Sequence, residues 1–182
     1  MKRFGYMIFK TKGLALTTTF GIIIFLSKTI IVSPFDKILI FVQALFLALG
    51  TLLLGIGGAT YVSFVGGILT VTVRPAMAIF TFIFALFYGI LVDAAFAFFK
   101  VKSSMQVNTV KAVYATTFGT ALTGLLSYYT TAIWLGLLPR NFIMEAIILV
   151  AGIINGAFAG YFAAKIWNKY LKFMEQNLEP HV

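Results

Sequence analysis

Apolar residues occupy this chain in long blocks, and charged residues gather in short clusters between them. Leu14–Ser33, Ala76–Phe99, Thr109–Leu138 and Phe142–Lys165 each hold enough apolar residues to cross roughly 30 Å of hydrocarbon. The remaining block, Ile38–Val73, carries glycines at 50, 55, 57, 58, 66 and 67. One straight helix over that stretch would run roughly 54 Å, too long for a bilayer. The block therefore divides at Gly55-Ile-Gly-Gly58 into 38–55 and a short, Gly-rich 59–73, which is either tilted or re-entrant. The expected fold is an all-α, polytopic transmembrane helix bundle. It has about six segments in one domain: 14–33, 38–55, 59–73, 76–99, 109–138 and 142–165. Only Lys100–Asn108 makes a longer polar loop, and 169–182 forms an amphipathic tail. Pro75 and Pro139 suit helix starts, where a missing N–H costs nothing.

Charge tests that count. Six segments put Lys2, Arg3, Lys10, Lys12, Lys100, Lys102, Lys111, Lys165, Lys169 and Lys172 on the side of both termini, and Lys28, Lys37, Arg74 and Arg140 on the other. Ten against four obeys the positive-inside rule with both termini cytoplasmic. Five segments would reverse the bias. The basic start resembles a signal peptide, but its apolar stretch is long, and Lys28 and Pro34 follow without a small-x-small cleavage site. It reads as a retained first helix.

Composition agrees. Of 182 residues 61% are hydrophobic and 10% charged, with a mean hydropathy of +1.02; a soluble domain carries about 25% charged residues. The net charge of +9 lies beside apolar segments, so it reads as topology and contact with anionic lipid, with no nucleic-acid partner. There is no cysteine, and the one histidine is His181. Thiolate sites, metal clusters and histidine-dependent catalysis have no residues to draw on. HExxH and Walker A patterns are absent as well. The expectation is a protein without catalytic residues, metal or cofactor.

Asp93 stands out. An acid inside the fourth segment points into the bundle rather than at lipid, and Ala85, Gly89, Asp93 and Ala97 repeat at helical spacing as a small-residue stripe. It is either a contact for a ligand, proton, cation or coupling partner, or a structural carboxylate that pairs with a lysine such as Lys100 or caps a neighbouring helix. Gly152, Gly156 and Gly160 form a doubled GxxxG run that lets another backbone approach, within the chain or across a homodimer seam. Asn155 beside it needs amide partners. Ala44 and Ala48 make an AxxxA pair. Lys28, Arg74, Arg140 and Glu145 fall near the outer face, as the mouth of a cavity or as snorkelling side chains. Tyr61, Tyr128, Tyr129 and Trp134 are ring-stacking candidates or interfacial belt residues.

These features together resemble the substrate-binding S components of energy-coupling factor vitamin transporters. The resemblance is carried by the small size and basic start, by the proline-led run from Arg74 to Asp93, and by the last helix, with Asn155 among small residues and a Lys-rich exit. It implies capture of a water-soluble micronutrient and delivery with a transmembrane coupling subunit and two ATPases. It maps the coupling contact to Ala44 and Ala48, with Asp93 as a further coupling residue. The expected function is a substrate-capture subunit in the cell membrane. Tyr61, Arg74, Trp134, Glu145 and Asn155 would bind the solute between 59–73 and the last two helices. The alternative is a structural or assembly subunit of a larger membrane complex; a stand-alone homodimeric transporter ranks third.

Overall fold

A computed structural model describes residues 2–30, 40–73, 78–103, 106–136 and 140–172, nearly all of them helical. The elements are α1 (Lys2–Ile30), α2 (Phe41–Leu54), α3 (Gly58–Val73), α4 (Ala78–Phe98), β1 (Lys102–Ser103), β2 (Gln106–Val107), α5 (Thr109–Tyr129) and α6 (Phe142–Ile166). The last two helices run on through π-helical turns, Thr130–Trp134 and Trp167–Leu171. Apart from the two-residue strands, the described residues form an all-α fold.

The six expected segments correspond to these helices with shifted ends. α1 starts at Lys2, so the basic leader is helical rather than a preceding arm. α3 is one unbroken helix of 16 residues with no re-entrant bend. The fifth helix runs only to Trp134. Pro75 and Pro139 lie outside the described residues, as does 173–182 of the tail. α6 begins at Phe142, behind an Asn141 cap whose side chain accepts from Ile143 N at 2.9 Å.

The break between α2 and α3 follows from glycine. Gly55 and Gly57 take positive φ, +80° and +99°, which costs a residue without Cβ nothing. Gly58 then lies so close to the Gly50 backbone that any Cβ would collide with it. The two helices consequently meet backbone to backbone from the first turn.

α2 is the central helix: it packs against α1, α3, α4, α5 and α6. Its sequence, FVQALFLALGTLLL, is apolar almost all round, the signature of an enclosed helix. Ala44, Leu47 and Ala48 are fully buried in it. Around it α3 packs on α1 and α4, α4 on α5, and α5 on α6 in the most extensive of the interfaces.

The loop expected over 100–108 is a β-hairpin that closes one end of the bundle. β1 and β2 are antiparallel, with Lys102 opposite Val107. Val101 and Val107 are buried inward. Asn168, past the end of α6, acts as a third strand: its Oδ1 accepts from Val107 N at 3.1 Å and its Nδ2 donates to Val107 O at 2.9 Å. Lys102 donates to Leu52 O at the end of α2 (3.3 Å) and lies 4.3 Å above the ring of the fully buried Trp167. The ends of α2, α4 and α6 and the starts of α3 and α5 therefore meet at this hairpin end, and helices consecutive in the chain alternate in direction.

By length and composition, α4 (Ala78–Phe98) and the rod Phe142–Leu171 are able to cross a membrane. Gly13–Thr29, α2 and α3 are apolar but shorter.

Candidate functional site

Asp93 is the best-defined polar centre, and it lies where α2, α3 and α4 converge. Gly89, one turn earlier, is what lets α4 approach: a Cβ there would meet Ser63 Oγ at 2.5 Å and Ala59 O at 2.8 Å. The approach brings the Asp93 carboxylate onto the first turn of α3. Oδ1 accepts from Thr51 Oγ1 at 2.6 Å and Ala59 N at 3.1 Å; Oδ2 accepts from Thr60 N at 2.9 Å and Thr60 Oγ1 at 2.7 Å. Two donors on each oxygen fill the acceptor capacity of a carboxylate. The negative group also faces the positive end of a helix dipole.

Asp93 is thus a capping residue, 4% exposed. Of the alternatives open in the sequence, the geometry matches the cap on a neighbouring helix. Lys100 makes no ion pair with it. The stripe ends with it, because Ala85 and Gly89 are buried but Ala97 is exposed. Thr51 and Thr60, which supply three of the four bonds, have no mark in the sequence: threonine is common in apolar helices and nothing local distinguishes these two.

Gly152, Gly156 and Gly160 face α5 within the same chain. A Cβ on Gly156 would meet Thr117 Cα at 2.6 Å, and one on Gly160 would collide with the Thr116 hydroxyl and Ala112 O. The close approach allows a hydrogen bond between the helices, Thr116 Oγ1 to Gly156 O at 2.8 Å. Beside it, the buried Tyr88 and Thr120 hydroxyls bond across α4 and α5 at 2.7 Å.

The opposite end holds the second polar cluster. Tyr128 OH receives a bond from Asn141 N (3.0 Å) and donates to Asn141 O (3.3 Å), pinning the start of α6 to the end of α5. Next to it, Tyr129 OH donates to Glu145 Oε2 at 3.1 Å. Arg140 Nε lies 3.5 Å from Glu145 Oε1, and the glutamate side chain is 17% exposed. The π-helical turn Thr130–Trp134 follows directly, and π-turns in helices are frequent at functional sites.

Of the five proposed solute contacts, the three with described side chains do not converge. Tyr61 is in the first turns of α3, at the hairpin end, where its hydroxyl pairs with Thr18 of α1 at 3.0 Å. Glu145 is at the far end. Asn155 is half-buried midway along α6 and donates to Ala151 O at 2.8 Å. Arg74 and the Trp134 side chain lie outside the described residues. The expected pocket between 59–73 and the last two helices is also not assembled, because α3 packs on α1, α2 and α4 instead. Ala44 and Ala48 are 0% exposed, their face taken up by the bundle itself. Among the described residues no three His, Cys, Asp or Glu side chains cluster as metal ligands would.

Compared with known protein families, with curated proteins and with solved structures, the chain matches none.

Proposed function

We propose that this protein is an integral membrane protein with six segments across the bilayer, its hairpin end on the cytoplasmic side. On this reading it captures a small polar solute at the other end, with affinity but no chemistry of its own. Three features support the membrane placement: alternating helix directions, two helices of full spanning length, and the ten-to-four division of basic residues between the two ends. Aromatic and aliphatic side chains exposed along the helices, such as Ile79, Ile83, Ile90 and Phe158, suit a lipid solvent.

The observation that carries the capture role is the Tyr129–Glu145–Arg140 cluster. It joins an acid, a base and a hydroxyl beside a helix irregularity, at the end of the bundle opposite the hairpin. Breaks in helix regularity beside polar side chains are how many membrane solute sites are built. Delivery through a coupling membrane subunit and ATPases, as in energy-coupling factor transporters, is part of this reading. Its contact surface excludes Ala44 and Ala48. The test is native mass spectrometry after gentle extraction: a co-purifying solute that raises thermal stability, and that Glu145→Gln releases, supports capture.

An assembly role has one observation in its favour. The first turns of α6 are exposed nearly all round, with Phe142 at 81% and Ile143 at 64%, a surface that a partner helix could cover. Recovery of a stable complex with other membrane subunits and no solute would favour it.

A further inference from the structure

Between α4 and α5 at the hairpin end lies an open groove of about 390 Å³, lined by Leu91, Ala94, Ala95, Phe98, Phe99 and Phe118. No polar side chain lines it. Along α4 the lining residues Leu91, Ala94, Ala95 and Phe98 follow helical spacing and form one wall. On α5 the exposed residues Lys111, Tyr114 and Phe118 occupy one face at i, i+3 and i+7, so the wall that starts at Phe118 leads to an ammonium. The α4 wall leads to another: Lys100 follows Phe98 and Phe99 directly and is exposed. Neither lysine is ion-paired to a described residue. The two described acids lie elsewhere, Asp93 buried in its cap and Glu145 at the far end.

Lys100 adds a second observation. It closes α4 with bonds from Lys100 N to Ala97 O and Val101 N to Phe96 O, a helix ending whose pivotal residue takes positive φ, here +49°. Glycine fits that position without strain. A lysine held there against its backbone preference points to a use for its ammonium.

We propose that this groove binds one anionic phospholipid, an acyl chain lying along Phe98, Phe118 and Ala94 and the phosphate held by Lys100 and Lys111. The assignment rests on the membrane placement above, which puts the hairpin end at the headgroups of the cytoplasmic leaflet. That leaflet carries the anionic lipids, and an ammonium beside it favours them by about fivefold for each charge. A diffuse basic surface would attract the same lipids without selecting a position. The groove supplies a position.

The experiment uses the full chain in nanodiscs of equal phosphatidylcholine and phosphatidylglycerol, released for native mass spectrometry of retained lipid. Expected is retention of about one phosphatidylglycerol in preference to phosphatidylcholine. Lys100→Gln with Lys111→Gln should lower that preference at least fivefold. Lys165→Gln with Lys169→Gln removes the same charge at the same end but outside the groove, and should leave it unchanged. Ala94→Phe fills the groove from an exposed position and should abolish retention while all lysines remain. Equal losses from both lysine pairs, or retention that survives Ala94→Phe, would overturn the site. Release of the protein from membranes by alkaline carbonate would overturn the membrane placement itself, and the lipid site with it. Retention in the bilayer with no lipid preference would overturn the lipid site alone.

Discussion

Asp93 and Thr60 sit on different helices, and the aspartate carboxylate accepts both the backbone N–H and the hydroxyl of the threonine, at 2.9 and 2.7 Å. This arrangement commits a buried acid to starting a helix. Replacing Asp93 with Ala removes the acceptor of four donors, two of them buried and two part-buried, and should destabilise the fold by about 3 kcal/mol. Asp93→Asn keeps the shape but turns one acceptor into a donor, at a cost of about 2 kcal/mol. Thermal unfolding in detergent measures both. A variant as stable as the parent would show that the cap has no energetic role.

Gly160 and Gly119 provide a matched pair on the α5–α6 and α4–α5 seams. A Cβ on Gly160 collides with Thr116 and Ala112, whereas the tightest contact of one on Gly119 is Val92 Cγ2 at 3.3 Å. Gly160→Ala should cost about 1–3 kcal/mol through overpacking. Gly119→Ala should fall within about 1 kcal/mol of neutral, because the helix-propensity gain offsets the contact. Equal effects would mean that the α5–α6 approach is less tight than described.

The lysine at the end of α4 is under a conformational cost that glycine does not incur. Lys100→Gly should therefore raise the melting temperature by roughly 2–4 °C, the equivalent of about 1 kcal/mol at this chain length. The same variant should lower phosphatidylglycerol retention. A fall in melting temperature would remove the argument that Lys100 is kept for its charge.

At the opposite end, Tyr129→Phe removes the 3.1 Å bond, whereas Glu145→Gln keeps an acceptor oxygen and removes the charge. If the cluster holds a charged or strongly polar solute, Glu145→Gln should weaken binding about tenfold or more and Tyr129→Phe by less. Titration of the co-purifying solute against both variants distinguishes them; unchanged affinity in both would move the site elsewhere.

Much of the helix layout could be read from residue types alone, since Gly55-Ile-Gly-Gly58 interrupts an apolar run that no bilayer accommodates as one helix. The glycine stripe likewise announced a close backbone approach. What it approached could not be read, because Thr116 and Thr117 carry no mark distinguishing them from the other threonines of α5. Asp93 was conspicuous, yet its partners come from positions 33 to 42 residues away. Ala44 and Ala48 looked like a surface for another subunit because a small-residue pair reads the same whether the helix is central or peripheral. The number of neighbours around α2 decides that, and neighbours are a property of the whole bundle. The hairpin escaped notice for a different reason. Two residues per strand leave no alternation to detect, and its outer strand is completed by a side chain.

That side chain carries a consequence for how the molecule is made. Val107 presents its N–H and C=O along an open edge, and the group that satisfies them, Asn168, follows 61 residues later. Throughout synthesis of α5 and α6 the nascent chain carries an unfinished strand edge at the hairpin end. Only arrival of the end of the last helix closes it. A chain truncated before Asn168 would hold most of its helices and still expose the edge through which it could join a neighbour.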